Sequence, residues 1–246
     1  MIKLMIHLVR IVIATCVALL FNSCKYEIDL GEKITGSGNV VTKERNLAPF
    51  TKIEVSQALD CEVTQGNDQK VVVEADDNLQ DGIITTVSNG TLKIASKYNN
   101  YNNVKSKKIR VQMPIIEGLE STSAAYLVTK NVIKGNTIYL KSSSASKLVA
   151  TIEADKVLLE SSSGSDLNVE GKALEVSTAS SSGSSIDADD LLANDITSQS
   201  TSGSTTSVHP ILKLKAHASS GSSIQYSKTP KSLSIEENSG GSVDKE

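Results

Sequence analysis

The chain has 246 residues, 25 basic and 28 acidic, for a net charge of −3, and only 3% aromatic side chains with no tryptophan. That balance gives no electrostatic case for nucleic acid, and so few rings exclude a base-stacking platform. Three cysteines, Cys16, Cys24 and Cys61, cannot build a disulfide framework.

Residues 1–23 read as an export signal: Lys3 and Arg10 flank the start, and Ile11 to Phe21 is almost wholly apolar yet too short to span a bilayer as a helix. A signal that stops at a cysteine resembles the lipobox of bacterial lipoproteins, whose thiol carries the lipid. Here the run is Phe21-Asn22-Ser23-Cys24, in which Phe21 and Asn22 depart from the commonest pattern. Lipidation at Cys24 is the expectation, because the cysteine falls where the apolar run ends. The membrane partner is then reached through the lipid, with residues 24–35 as a tether. Lys25 after the cysteine, where the inner-membrane retention signal has Asp, favours the outer membrane; cell surface and periplasmic face both stay open. Loss of the signal removes two basic and no acidic residues, moving the net charge from −3 to −5. Cys61 is left as a single thiol sharing a face with Leu59 and Val63, which predicts a buried structural residue.

Residues 36–113 are β-rich but irregular. Ile53 and Val55, Val71 and Val73, and Leu92 and Ile94 alternate with polar neighbours, and Asn89-Gly90 is a turn signal. This half is expected to form irregular rungs or a cap, since a stack of strands needs its end closed. Within it, Lys97 to Asn103 reads Lys-Tyr-Asn-Asn-Tyr-Asn-Asn, followed by Lys105, Lys107, Lys108 and Arg110. Tyr98, Asn100, Tyr101 and Asn103 are the candidate ligand-binding residues: rings and amides suit a glycan, and the basic run suits an anionic one. The plainer alternative is a solvated loop between strands.

From residue 114 to 243 a serine motif recurs, at Ser123-Ala124, Ser144-Ala145, Ser163-Gly164, Ser182-Gly183, Ser202-Gly203, Ser220-Gly221 and Ser239-Gly240. The spacing of the small central residues, 21, 19, 19, 20, 18 and 19, is the mark of a stacked repeat. Apolar residues sit at fixed offsets: Ile138, Val157, Val176, Ile196, Leu214 and Leu233 seven before the centre, and Leu127, Leu148, Leu167, Ile186, Ile224 and Val243 three after it. Polar residues take the offsets between, a period of two that means strand. The pattern predicts an all-β chain folded as a single parallel β-helix. Each rung has about 19 residues in two or three short strands, a tight bend admits only small side chains, and serine ladders run inside.

Gly36-Ser37-Gly38-Asn39-Val40, Phe50 to Val55, Val63-Thr64-Gln65-Gly66, Val71 to Asp76 and Gly90 to Ile94 resemble the opening of the GIN domain, and the later Ser-Gly-Ser repeats resemble its remainder. That domain is known as an autotransporter-adhesin head and a domain of unknown function, common in lipoproteins of Bacteroidota. The resemblance spans 36 to about 243. It implies a right-handed β-helix and a place in the cell envelope, and it transfers no catalytic residues.

Nothing in the chain reads as a cofactor site or an active site. Beyond the signal the only histidines are His209, before Pro210 at a corner, and His217, at an outward offset with carboxylates far off in sequence; neither has zinc-ligand spacing. Asp187, Asp189, Asp190 and Asp195 form a local acidic group that calcium could take, and Asp166 lies below Asp187 only if the register drifts. The expected function is a non-enzymatic, adhesin-like binding module. The alternatives are a periplasm-facing structural or assembly component and, behind both, a carbohydrate-active enzyme. Self-association through the carboxy-terminal rung is a further expectation, because only Asp244-Lys245-Glu246 follow Val243 to blunt its edge.

Overall fold

The computed structural model describes residues 32–246; the expected signal and Cys24 lie outside them. The first strands are β1 (Glu32–Thr35), β2 (Val40–Arg45), β3 (Lys52–Val55), β4 (Asp60–Gln65) and β5 (Lys70–Asp76). A single 3₁₀ turn at Asp77–Leu79 leads to β6 (Ile83–Ser88), β7 (Thr91–Ser96), β8 (Tyr98–Asn102) and β9 (Lys107–Met113). Then follow β10 (Gly118–Ser121), β11 (Tyr126–Thr129), β12 (Ile133–Ser143), β13 (Lys147–Ser162), β14 (Asp166–Ser180), β15 (Ser185–Ser200), β16 (Thr205–Ser219), β17 (Ser223–Tyr226), β18 (Ser232–Asn238) and β19 (Ser242–Lys245). Glu32–Thr35, the last part of the segment expected as a tether, is a strand paired with β8.

The repeat region is the parallel β-helix its period predicts. Lys147 lies opposite Asp166 and Asp166 opposite Ser185, a step of 19 residues per coil. Equivalent side chains therefore stack: Leu148, Leu167, Ile186, Thr206, Ile224 and Val243 make one inward column, and Ile138, Val157, Val176, Ile196 and Leu214 another. All of these are buried. The rungs are not broken into short strands as expected. A coil such as β15 is one strand of 16 residues whose alternation slips twice, at Asp189–Asp190 and Asn194–Asp195. The slips divide its inward residues into Ile186 and Ala188, Leu191 and Ala193, and Ile196, Ser198 and Ser200, so the coil has three sides and two soft corners.

The third corner is the serine motif, and it works differently from the expectation. Both central residues adopt positive φ, as at Ser163 (56°) and Gly164 (67°), a tight turn of the kind that favours glycine at its second position. These two residues face solvent, and a Cβ built on Gly164 meets nothing within 4 Å. The constraint is backbone conformation, not a narrow interior. The inward serine is the next residue. Ser165 Oγ accepts from Ser162 N–H at 3.2 Å and donates to Ser142 O in the coil below at 2.8 Å. Ser146, Ser184 and Ser222 repeat the pattern on Ser121, Ser161 and Ser200. Outside, Gly164 N–H donates to Ser182 O and Gly183 N–H to Ser202 O, tying each turn to the next.

Stack order departs from chain order in the amino-terminal half. β3 pairs in parallel with both β7 and β10, and β4 with both β9 and β11. The coil of β7 and β9 thus lies beyond that of β3 and β4, although it follows it in sequence. Its outer edge is covered by antiparallel strands, β6 on β7 and β5 on β9, with β2 on β5. The irregular half contains this cap, and antiparallel pairing ends the parallel stack by covering the edge of its last coil, while β2 and β6 are themselves paired on one side only. Asp76 locks it. Its buried carboxylate accepts from the backbone N–H of Gly38 (2.8 Å), Lys105 (3.0 Å) and Ser106 (2.9 Å).

Candidate functional site

The Tyr98–Asn103 segment is not a free loop. β8 replaces the serine turn at the corner of the capping coil and pairs in parallel with β1, Tyr101 opposite Ile34. Tyr98 packs on Gly82, where even a Cβ would strike its ring. Tyr101 is half-buried; its hydroxyl donates to Gln57 O at 3.2 Å, and Lys107 Nζ stands 5.6 Å from its ring centroid. Asn100 and Asn103 are exposed. Both rings serve the fold, so removing them together would lower stability. The basic run is also largely committed. Lys107 pairs with Asp60, Lys108 and Arg110 with Glu62, and Arg110 with Glu74 at 2.7 Å. The Arg110 guanidinium holds the Glu74 carboxyl below its ordinary range.

The acidic residues do not gather. Asp187 lies opposite Asn168 and Asp166 opposite Ser185, so the register does not drift and Asp166 is not beneath Asp187. Asp187 and Asp190 border one shallow pocket, Asp189 turns a half-buried carboxylate with no partner for Oδ1 into a soft corner, and Asp195 lies past the next corner between Glu175 and Lys213. Among the described residues no three His, Cys, Asp or Glu side chains come together to hold a metal ion. Cys61 is fully buried, and desolvation, followed by the neighbouring Glu62 and Asp60 charges, raises its thiol pKa far above the usual value. It is an inert core residue.

A more open site lies on the outward face of the last side of the coils. One outward column runs Lys141, Glu160, Ala179, Gln199, His217. The methyl group of Ala179 among long polar side chains leaves a trough of about 380 Å³, bordered on its second side by Ser162, Ser181, Thr201 and Ser219. Its walls are held in place from outside: Tyr139 hydroxyl donates to Glu160 at 2.6 Å, Lys141 pairs with Glu120 at 3.1 Å, and His217 Nδ1 meets Glu236 at 3.2 Å. Burial, reinforced by the Glu160 charge, raises the Tyr139 phenol pKa, so it stays a donor. The carboxylate partner of His217 escaped the sequence reading because Glu236 is 19 residues away, one coil up; the repeat period is the signal that could have found it.

With this geometry the relatives can be compared. A family model described as "Putative auto-transporter adhesin, head GIN domain" matches residues 49–230, and the chain belongs to that family. No curated protein matches the chain. A crystal structure described as a putative adhesin from Bacteroides fragilis NCTC 9343 superposes with a TM-score of 0.81 at 20% identity, covering 87% of this chain and 100% of that one. A structure described as a putative lipid binding protein from Parabacteroides distasonis ATCC 8503 gives 0.72 at 21% identity, with coverage of 87% and 100%. A putative adhesin from Parabacteroides merdae ATCC 43184 gives 0.69 at 15%, covering 87% and 99%. These likenesses establish the shared fold.

Proposed function

We propose that this chain is a non-enzymatic binding module of the cell envelope, anchored by lipid at Cys24, and that it holds a polyhydroxylated ligand, a glycan, along the Ala179 trough. The observation that carries this reading is the trough itself: a shallow groove whose imidazole, carboxylate and ammonium groups are positioned in advance, so little ordering cost falls on binding. The amide, carboxylate and hydroxyl groups on its rim supply partners for sugar hydroxyls. Asn100 and Asn103, exposed on the cap, are the remaining part of the Tyr-Asn candidate and form the comparison site.

The test is a glycan-binding screen of the parent, Ala179→Arg, Gln199→Ala with Thr201→Ala, and Asn100→Ala with Asn103→Asp. Filling or stripping the trough is expected to abolish binding with the melting temperature unchanged, because these side chains face outward. Retained binding by Ala179→Arg, or loss only in the Asn variant, would move the site to the cap. Cys24→Ser is expected to release the protein from membranes and abolish incorporation of a fatty-acid label. A second reading, an outer-membrane assembly component facing the periplasm, draws on the open carboxy-terminal coil. An epitope tag at the exposed Asn89-Gly90 turn, removed by protease from intact cells, supports the displayed module; protection until lysis supports the assembly role.

A further inference from the structure

Another trough on the same outward side of the coils, of about 360 Å³, lies nearer the cap and is lined by Gly118 together with Lys52, Asn89, Thr91, Lys93 and Tyr139. Gly118 opens β10 in regular register between Lys52 and Tyr139, so it marks no bulge. Its φ is not left-handed, so it marks no bend. A Cβ built on it would stand 3.4 Å from Lys52 Cγ and 3.6 Å from Tyr139 O, ordinary contacts both. A glycine within a strand weakens it, and marks a bulge, a bend, or the close approach of backbone or ligand. Neither bulge, bend nor backbone accounts for this one, which leaves a ligand.

The charges around this trough leave one cation over. Lys93 pairs with Glu54 at 3.1 Å and Glu120 with Lys141 at 3.1 Å, whereas Lys52 forms no ion pair among the described residues. The Asn89-Gly90 turn is pinned beside Lys52, because the backbone N–H groups of Thr51 and Lys52 both donate to Gly90 O, at 3.0 and 3.2 Å. Tyr139 belongs to the coil at the far end. Its hydroxyl is drawn to Glu160 in the next coil, which fixes a half-buried ring as an apolar wall. An ammonium, an amide and a fixed ring around one trough suit a sugar that carries an anionic group.

Given the glycan reading of the Ala179 trough, on which this rests, we propose that the Gly118 trough is a second subsite. In it Lys52 meets the anionic group of an acidic sugar belonging to the same glycan chain that fills the Ala179 trough. The two troughs share one ridge. Glu120 and Tyr139 line the Gly118 trough, and their respective partners Lys141 and Glu160 line the other. Lys141 and Glu120 are drawn along the stack by their pairing, with side chains 34% and 30% exposed, so the ridge is low. From Gly118 to the coil of Ala179 the register runs through Tyr139, Leu158 and Ser177, three coils or about 14 Å at the spacing of neighbouring strands. A disaccharide occupies one trough, whereas a longer chain crosses the ridge and holds both, its second contact being intramolecular.

The test is calorimetric titration of the full chain in detergent with oligogalacturonates graded in length, their carboxyl-reduced neutral forms, and sulfated dextran oligosaccharides. The parent is expected to bind long acidic chains about tenfold more tightly than acidic disaccharides or neutral chains of equal length. The uronate and sulfate arms tell which anion the subsite takes. Lys52→Gln should remove the preference for acidic chains and leave neutral ones as they were. Gly118→Gln, which fills the trough, should remove the gain with length. Ala179→Arg should reduce long acidic chains to the affinity of the disaccharide. Binding that ignores the anionic group, or a preference for it that survives Lys52→Gln, overturns the acidic subsite, even where Ala179→Arg still abolishes neutral binding. Long acidic chains that lose nothing in Ala179→Arg but bind weakly in Lys52→Gln and Gly118→Gln would overturn the spanning chain and the Ala179 reading together, and leave the acidic site standing. A melting curve for each variant separates loss of binding from loss of the fold.

Discussion

Gly171 and Gly183 both have positive φ, 125° and 67°, yet they answer to different constraints. A Cβ on Gly171 would lie 2.0 Å from Ile152 O, a backbone atom that cannot yield, whereas one on Gly183 meets open solvent. Ala124 and Ala145 already occupy the Gly183 position at φ of 60° and 59°. Gly183→Ala is therefore expected to cost about 1 kcal/mol, the ordinary penalty for a left-handed alanine. Gly171→Ala should cost several times more, measured by urea unfolding. Asp76 is the other singular residue. Burial opposes its ionisation, but the N–H groups of Ser106, Gly38 and Lys105 prevail and hold its carboxyl below the usual range. A carboxyl depressed in the folded state contributes stability that is complete above its unfolded value, about 3.9, and is lost as pH falls through the lower folded value. Asp76→Asn should cost about 2 kcal/mol near neutrality, through donors left unpaired. The gap between the two proteins should narrow below about pH 4, as melting temperatures across pH would register.

At the scale of one coil, the corner serine adds a second partner to backbone groups of two coils, as at Ser181 N–H, which donates both to Ser184 Oγ and to Ser161 O. Ser165→Ala removes such a partner from Ser162 N–H and from Ser142 O, an expected loss of about 1 kcal/mol on denaturant titration. Ser204 is expected to behave differently, because its Oγ shares a buried cluster with Ser180, Ser200 and Thr206, whose remaining members can bond to one another. The turn itself was legible in the sequence because two successive left-handed residues leave a strong Ser-Gly or Ser-Ala imprint. The same turn at Gln57-Ala58, with φ of 56° and 55°, was not. Leu59 stands there where later coils have an inward serine, and the hydroxyl half of the imprint is gone. Stack order was hidden for another reason. The contact of β3 with β7 and β10 is decided by which edges remain open, not by anything local to those strands. The trough was equally invisible, since it exists only because Ala179 interrupts a column contributed by five coils.

Residues 32–246 are close to a one-dimensional stack, in which each coil rests on its neighbours and stability falls toward an uncovered end. Here the fall should be one-sided. The amino-terminal coil is covered by β5 and β6, pinned by Asp76, so that β7 and β9 are paired on both sides, while β18 and β19 have a neighbour on one side only. Hydrogen exchange tests the gradient. Amides of 232–238 should exchange fastest among the strands of the β-helix, with protection rising through β16 and β15, because each step inward adds a paired neighbour. Protection in 232–238 equal to that of the central coils would mean that the last coil does not fray, and the one-sided gradient would be wrong.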